Sequence, residues 1–224
     1  MNRLELRLLW ATLLLALALQ GAWKCYEPQP AALTRDLPNA PDPSWVRAVD
    51  FGEHALASQG LMLQLFSLDE QPGVSLPFAS LDYARLEEWM SAALELDPDN
   101  RNLLVAATQV YSQVPDPDRQ RKMLDFVHQQ FLLAPASRWP FLAHAAFIAR
   151  HGLKDMNLAM SYARDLSRVN SAPAWARQMS VLLLADLGEK EQARVLLGGL
   201  LDSGAVKDPR EIAFLLKRID SAAK

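Results

Sequence analysis

The sequence predicts an all-α chain, a solenoid of helical hairpins with a C-terminal capping helix, preceded by one N-terminal transmembrane or signal helix. Ala and Leu dominate the 224 residues and only 9 are Gly, a balance that favours helix. Apolar residues recur at helical spacing through most of the chain. Four prolines, at positions 98, 135, 173 and 209, are separated by 37, 38 and 36 residues. A near-regular period of this length is typical of stacked helical hairpins.

Residues 1–26 are predicted to be a membrane-directed helix. Arg3 and Arg7 precede an uncharged stretch, residues 8–23, and Lys24 follows it. Sixteen helical residues span about 24 Å, slightly less than the ~30 Å hydrocarbon core of a bilayer. The long side chains of Arg7 and Lys24 can reach the interface and make up the difference. This pattern favours an uncleaved signal anchor.

A cleaved signal peptide is the alternative for the same segment. The best cleavage position follows Ala22, but it places Gln20 where a small residue is preferred. Cys25 is the one cysteine of the chain, and the residues before it do not resemble a lipoprotein signal. Cationic residues stay in the cytoplasm. The prediction is therefore a single-pass inner-membrane protein with its body in the periplasm or, after cleavage, a protein secreted to the periplasm.

Residues 27–44 are predicted to be a spacer between the anchor and the body. The stretch holds five prolines, which favour an extended chain: Pro28, Pro30, Pro38, Pro41 and Pro43. At about 3.1 Å per residue it could reach about 50 Å. The alternative is a loop packed on the body. The body itself, a helical repeat domain, is predicted over residues 45–224.

The body divides into paired helices. Residues 101–113 and 118–133 form one predicted hairpin, with Leu104, Ala107 and Tyr111 striping its first helix. Residues 45–67 are predicted to form one helix, with Gly52 and Gly60 as weak positions. An irregular loop at 69–80, functional or merely tolerated, precedes the next helix. The remaining predicted helices span residues 81–96, 139–151, 158–166, 174–187, 189–201 and 209–222.

The hairpins resemble the tetratricopeptide repeat (TPR) family over roughly residues 45–204. The family has a large residue and small residues in its first helix, with Ala, an aromatic residue and a closing Pro in its second. One unit matches through Trp175, Gly188, Ala193, Leu197 and Leu200, and another through Phe141, Ala145, Ile148, Gly152 and Tyr162. A third matches through Leu86, Met90, Ala93 and the ending Leu96-Asp97-Pro98.

The resemblance implies a protein-binding groove lined by the first helices of the hairpins, which takes a peptide segment of a partner. It would be neutral and rich in amides, with one aromatic anchor, Trp139. For Trp139, packing against the preceding helix is an equal alternative. The groove lacks the paired basic residues that hold a C-terminal carboxylate. The implied positions are Asn102, Gln109, Ser112, Gln113, Trp139, Ala146, Arg150, Ala176 and Ser180.

The sequence offers no convincing catalytic set. Glycine-rich phosphate loops, nucleophile elbows and zinc-protease helices are absent from it. His144 and His151 share a predicted helix, but they are about 10 Å apart along it and no acid accompanies them. The basic cluster Arg119, Arg121 and Lys122 is predicted to be a solvated surface, with contact to a partner or to anionic lipid headgroups as the alternative. We expect no enzyme activity, cofactor, metal or small-molecule substrate.

The expected function is that of a membrane-anchored, periplasm-facing scaffold or adaptor that binds a protein in the assembly of a cell-envelope complex. The alternative is an accessory subunit built permanently into a membrane enzyme complex. The net charge of −3, without a basic stripe, argues against a nucleic-acid partner.

Overall fold

The computed structural model describes residues 3–26, 37–67, 70–71, 74–75, 78–204 and 206–221, and these confirm an all-α fold. They form twelve α-helices and one pair of two-residue strands. The first six helices are α1 (Arg3–Tyr26), α2 (Pro43–Val49), α3 (His54–Ser67), α4 (Tyr83–Leu96), α5 (Arg101–Gln109) and α6 (Pro117–Leu133). The others are α7 (Pro135–His151), α8 (Met156–Ser167), α9 (Ala174–Arg177), α10 (Met179–Asp186), α11 (Lys190–Asp202) and α12 (Pro209–Ser221).

Helix α1 covers most of the predicted anchor. Its described side chains, those of Arg7 and of residues 9–24, are exposed, including Leu14, Trp10 and Trp23. In the part of the chain that the structure describes, no helix combines the length and the apolar composition needed to cross a membrane.

The second half of the predicted spacer packs against the body. Leu37 is only 2% exposed, and its carbonyl accepts a hydrogen bond from Arg85 of α4. Trp89 donates its indole N–H to the Pro38 carbonyl at 2.9 Å. Asp42 then caps α2 by accepting from the Ser44 N–H at 2.8 Å. From Leu37 onward the chain follows the alternative of a loop packed on the body, because apolar burial and two side-chain donors hold this segment. Residues 27–36 lie outside the described residues.

The single helix predicted over 45–67 is divided into α2 and α3. The break falls at Phe51 and Gly52, whose φ angles are 55° and 87°. Both lie in the left-handed region, which suits glycine and interrupts a right-handed helix. Gly60, the other predicted weak position, lies inside α3.

The irregular segment 69–80 is described in part. Strand β1 (Glu70–Gln71) pairs antiparallel with β2 (Val74–Ser75). A 3₁₀ turn (Phe78–Ser80) follows, and its Phe78 ring lies edge-on to Tyr111, with centroids 5.6 Å apart. This segment therefore contacts the start of the 3₁₀ turn (Tyr111–Gln113) that ends the α5 unit.

The body is a series of helical hairpins. Helix α3 packs on α4, α5 on α6, α7 on α8, and α10 on α11, while α12 packs on α10 and α11. Neighbouring hairpins meet through α4 and α6, α5 and α7, α6 and α7, and α8 and α10. In three hairpins the side chain of an aspartate caps the second helix: these residues are Asp82, Asp116 and Asp155.

The spaced prolines punctuate these hairpins as predicted. Pro135 and Pro209 begin α7 and α12, and Pro173 occupies the N-cap position of α9. Pro98 lies in the turn before α5. Proline suits the first helical turn because the amide that it lacks has no partner there.

The apolar core forms two clusters. The larger extends from Leu37 to Leu183 and includes Leu86, Leu104 and Leu142. The smaller joins α10, α11 and α12 through Val181, Leu197 and Leu215. The C-terminal helices thus have a core of their own.

Candidate protein-binding surface

The nine predicted groove positions do not form one open surface. Asn102, Gln109 and Gln113 are exposed, whereas Trp139 is half-buried. Arg150 points its guanidinium toward Asp186, with a nitrogen–oxygen distance of 4.0 Å, and little of its side chain is exposed. The accessible amides therefore come from a single hairpin, the one that contains α5.

Four of the predicted positions are corrected by their burial: Ser112, Ala146, Ala176 and Ser180. Ser112 donates its hydroxyl to the Thr108 carbonyl at 2.6 Å, inside the packed end of its unit. Ala146 and Ala176 are completely enclosed. Small residues allow neighbouring helices to approach closely, and this close approach removes them from the surface.

A contact between two tryptophans joins two hairpins. The rings of Trp139, in α7, and Trp175, in α9, meet at 72° with centroids 5.8 Å apart. Trp139 also packs against the larger core cluster, whereas Trp175 is 51% exposed. Trp139 is thus both a packing residue and one wall of an accessible aromatic surface.

A cavity of about 420 Å³ lies beside this tryptophan pair, between the first turns of α5 and α7. We call it the edge cavity. Its apolar wall consists of Leu104, Trp139, Pro140 and Phe141. The guanidinium of Arg101 lies 5.9 Å from the centroid of the Phe141 ring, within the range of a cation–π contact.

Arg138 fixes the geometry of the edge cavity. It is 5% exposed and donates to the Gln130 carbonyl at 2.8 Å, to Gln130 Oε1 at 2.9 Å and to the Pro98 carbonyl at 2.7 Å. These bonds connect the end of α6, the turn before α5 and the start of α7. Burial lowers the pKa of the Arg138 guanidinium, and the nearby charge of Asp99 opposes this effect.

The two histidines of α7 flank an exposed phenylalanine. The Phe147 ring centroid lies 6.3 Å from that of His144 and 4.4 Å from that of His151. Burial lowers the pKa of His144, while a hydrogen bond with the Thr108 backbone opposes the shift. Its Nε2 is buried and has no hydrogen-bond partner among the described residues. Within those residues, no group of three or more His, Cys, Asp or Glu could hold a metal ion.

The basic cluster at the start of α6 is engaged within the chain. Arg121 pairs with Asp155 at 2.5 Å, and this contact raises the pKa of Arg121. Arg119 pairs with Asp116 at 3.5 Å and lies over the Tyr83 ring. These ion pairs leave less positive charge for a partner than the sequence alone indicates.

Comparison of the chain with protein-family models, curated proteins and solved structures finds no match in any of the three.

Sequence reasoning missed Arg101, Arg138 and Trp175 as surface-forming residues. In the sequence, Trp175 and Phe141 match the repeat pattern, and nothing there indicates that they belong to a binding site. Arg138 lies directly before the Trp139-Pro140 pair, and this local concentration of Arg, Trp and Pro was the available signal. The contacts of these residues with partners about 37 positions away, such as that between Trp139 and Trp175, could not be inferred from local spacing.

Proposed function

We propose that this protein is a membrane-held adaptor, a solenoid of TPR-like hairpins that binds a partner protein in cell-envelope complex assembly. The observation that carries protein binding is the contact of the half-buried Trp139 with the exposed Trp175 beside the edge cavity. Trp and Arg dominate the energetic centres of protein interfaces, because each combines a large contact area with a polar group. Here Trp139, Trp175 and Arg101 lie along one edge of the body.

The stacking of successive hairpins supports the solenoid. Helices that are first in their hairpins meet their counterparts, as α5 meets α7, and second helices do so too, as α4 meets α6. The small residues Ala107 and Ala145, which the family pattern places at close helix crossings, are fully buried. A hairpin that buries one face only when its neighbours stack on it is the structural unit of such arrays.

The membrane part of the proposal depends on α1. Its leucines and tryptophans are exposed along the described length, and an apolar surface of this kind favours a lipid or protein environment. Either an uncleaved anchor or a signal peptide removed after export accounts for this helix. The proposed location is the inner membrane with the body in the periplasm, or the periplasm itself after cleavage.

The binding test compares two tryptophans in the full-length protein. Trp175→Ala removes the proposed contact, and Trp45→Ala removes a tryptophan of α2 that is 63% exposed. Wild type and Trp45→Ala are expected to recover a stoichiometric protein partner from detergent extracts. Trp175→Ala is expected to bind that partner roughly tenfold or more weakly, as at an interface centre. Equal recovery by both variants would contradict the proposal.

The location test is fractionation combined with the mass of the mature protein. An anchored protein stays in the membrane fraction after carbonate washing, keeps its full mass and is digested by protease added to spheroplasts. A cleaved protein is soluble in the periplasm and lacks the N-terminal segment. Recovery in the cytoplasm would exclude both forms of the proposal.

A permanent accessory subunit is a second candidate, favoured by exposed apolar residues away from the tryptophan pair. Phe51, Leu133 and Val195 are 99%, 75% and 77% exposed. Apolar residues at this exposure suit a surface that stays covered. Native gel migration separates the candidates, because a permanent subunit migrates only within a larger assembly.

A further inference from the structure

The edge cavity carries an excess of positive charge. Arg101 and Arg138 line it together with a single carboxylate, that of Asp99. In the described part of the chain, none of the ion pairs includes either arginine. All three acceptors of Arg138 are neutral oxygens, so its charge is held in place without being neutralised.

Asp99, directly before the N-cap residue of α5, offsets part of this charge, and the neighbouring helix ends add to it. Neither α5 nor α7 has a side-chain hydrogen bond at its N-cap position. The positive end of each helix dipole therefore adds to the potential that the two arginines create. The contribution is secondary, because the arginines carry full charges.

Most of the other lining side chains are apolar or aromatic, and Ser137 is the polar one among them. Leu104, Pro140 and Phe141 form its wall, and Trp139 extends the wall to the exposed ring of Trp175. A ligand that pairs with the arginines and also packs on the apolar wall must carry an anionic group next to an apolar one. Arg101 is exposed and rests on Phe141, so it can turn toward a carboxylate at small cost.

We propose that the edge cavity binds an acidic side chain of the partner protein, with the apolar residues that follow it packed on Trp139 and Trp175. This inference rests on the proposed function and names the chemistry of the partner segment. An internal Glu or Asp followed by Leu and Pro has the required character. The recognition is of a side chain, so it does not need the end of a chain.

The test uses two end-blocked peptides and the full-length protein in detergent. The probes are rhodamine-labelled Ser-Glu-Glu-Leu-Pro-Ser and its amide-matched counterpart Ser-Gln-Gln-Leu-Pro-Ser, and binding is measured by fluorescence anisotropy. The acidic peptide is expected to bind about tenfold more tightly, the value of one charge-assisted hydrogen bond. Added salt is expected to reduce that difference. Equal affinity for the two peptides would overturn the proposal.

Variants that change the charge of the cavity test which residue binds the acidic peptide. Arg101→Gln is expected to weaken the acidic peptide about tenfold, whereas Asp99→Asn is expected to strengthen it, because the only carboxylate of the cavity is removed. The matched control is Arg168→Gln, at a side chain that is 79% exposed and lies outside the cavity. Affinity that is unchanged in Arg101→Gln, or that falls as much in Arg168→Gln, would refute the assignment.

The outcomes separate this inference from the proposed function. If the acidic peptide binds through Arg101 but no partner depends on Trp175, the adaptor function fails and the anion site stands. If a partner depends on Trp175 and is held equally well by wild type and Arg101→Gln, the adaptor function stands and the acidic recognition fails.

Discussion

At the scale of single residues, Arg138 shows how one buried cation can organise a surface. Its guanidinium satisfies three oxygens from two segments that are distant in sequence. A buried oxygen that loses its donor keeps the cost of leaving water without the compensating bond. Arg138 therefore matters for the arrangement of the edge cavity as well as for its charge.

Arg138→Leu is expected to lower the free energy of unfolding by about 1–3 kcal/mol, because it removes the charge-assisted hydrogen bonds of a buried guanidinium to partly buried acceptors. Urea denaturation followed by circular dichroism measures this. Arg168→Leu is the control, and we expect it to change stability by less than about 0.5 kcal/mol, since its side chain is exposed. Equal effects of the two substitutions would show that the hydrogen bonds of Arg138 contribute little to the free energy of unfolding.

His144 should make stability depend on pH. Because burial lowers its folded pKa, the unfolded chain binds more protons between the folded pKa and the ordinary histidine value of 6.5. With respect to His144, the folded state therefore has its full stability above pH 6.5 and loses stability as the pH falls below that value. His144→Leu should reduce the loss of stability measured by urea denaturation between about pH 7 and about pH 5.

The control for this prediction is the other histidine of α7. His151→Asn removes the exposed histidine of the same helix and is measured in parallel. An identical pH dependence in wild type and His144→Leu would show that the burial of His144 has no measurable linkage to folding.

At the scale of elements, two glycines of the first unit have opposite roles. Gly52 has a positive φ of 87° at the break between α2 and α3, whereas Gly60 lies within the regular turns of α3. A Cβ added at either position would meet no neighbouring atom within 4 Å. Backbone conformation alone therefore distinguishes the two sites.

Gly52→Ala is expected to lower the free energy of unfolding by about 1–2 kcal/mol, because alanine is strained in the left-handed region. Gly60→Ala is expected to raise it by about 0.5–1 kcal/mol, because alanine loses less entropy in a helix. Thermal unfolding of the two variants beside wild type tests the opposite signs. Changes of the same sign would contradict the assigned helix break.

Most elements could be predicted from sequence, because helix ends and stripes are local properties. The predicted helices at 81–96 and 118–133 correspond to α4 and α6, each preceded by a capping aspartate. A weak position was predicted at Gly52 but a complete break was not, since nothing in the residue type of Phe51 signals a positive φ. The division of 174–187 at Gln178 was missed for a similar reason. Gln178 is buried and donates to Glu211 of α12 at 3.1 Å, a tertiary contact.

At the scale of the whole molecule, the two core clusters divide the body unequally. Leu215 of α12 is fully buried in the smaller cluster, and its neighbour Leu216 is largely exposed. A small core supported by three helices should open more readily than the continuous core of the preceding hairpins.

Leu215→Ala is expected to destabilise the C-terminal helices by about 2–5 kcal/mol, the cost of a cavity at a buried leucine. Hydrogen exchange should accelerate in α10, α11 and α12, while α6 and α7 keep most of their protection. Leu216→Ala, the matched control, should leave exchange nearly unchanged. Uniform acceleration along the chain would indicate that the two clusters unfold as one.

The sequence by itself determined that this chain is all-α, where most of its helices begin and end, and how proline punctuates them. Those features follow from periodicity, capping and backbone geometry, which act over a few residues. The sequence could also locate Trp139 as a candidate anchor, because its ring type and helical position are local facts.

Only the tertiary structure decided which side chains are accessible. Ser112, Ala146, Ala176 and Ser180 are covered by neighbouring helices, while Trp175 and Arg101 stand at the edge. Residues 37–44, which were predicted to be part of the spacer, pack on the body. Helix α4 holds them because it supplies hydrogen-bond donors and apolar surface. Exposure depends on how helices that are distant in sequence pack on one another, and local sequence patterns do not reveal those contacts.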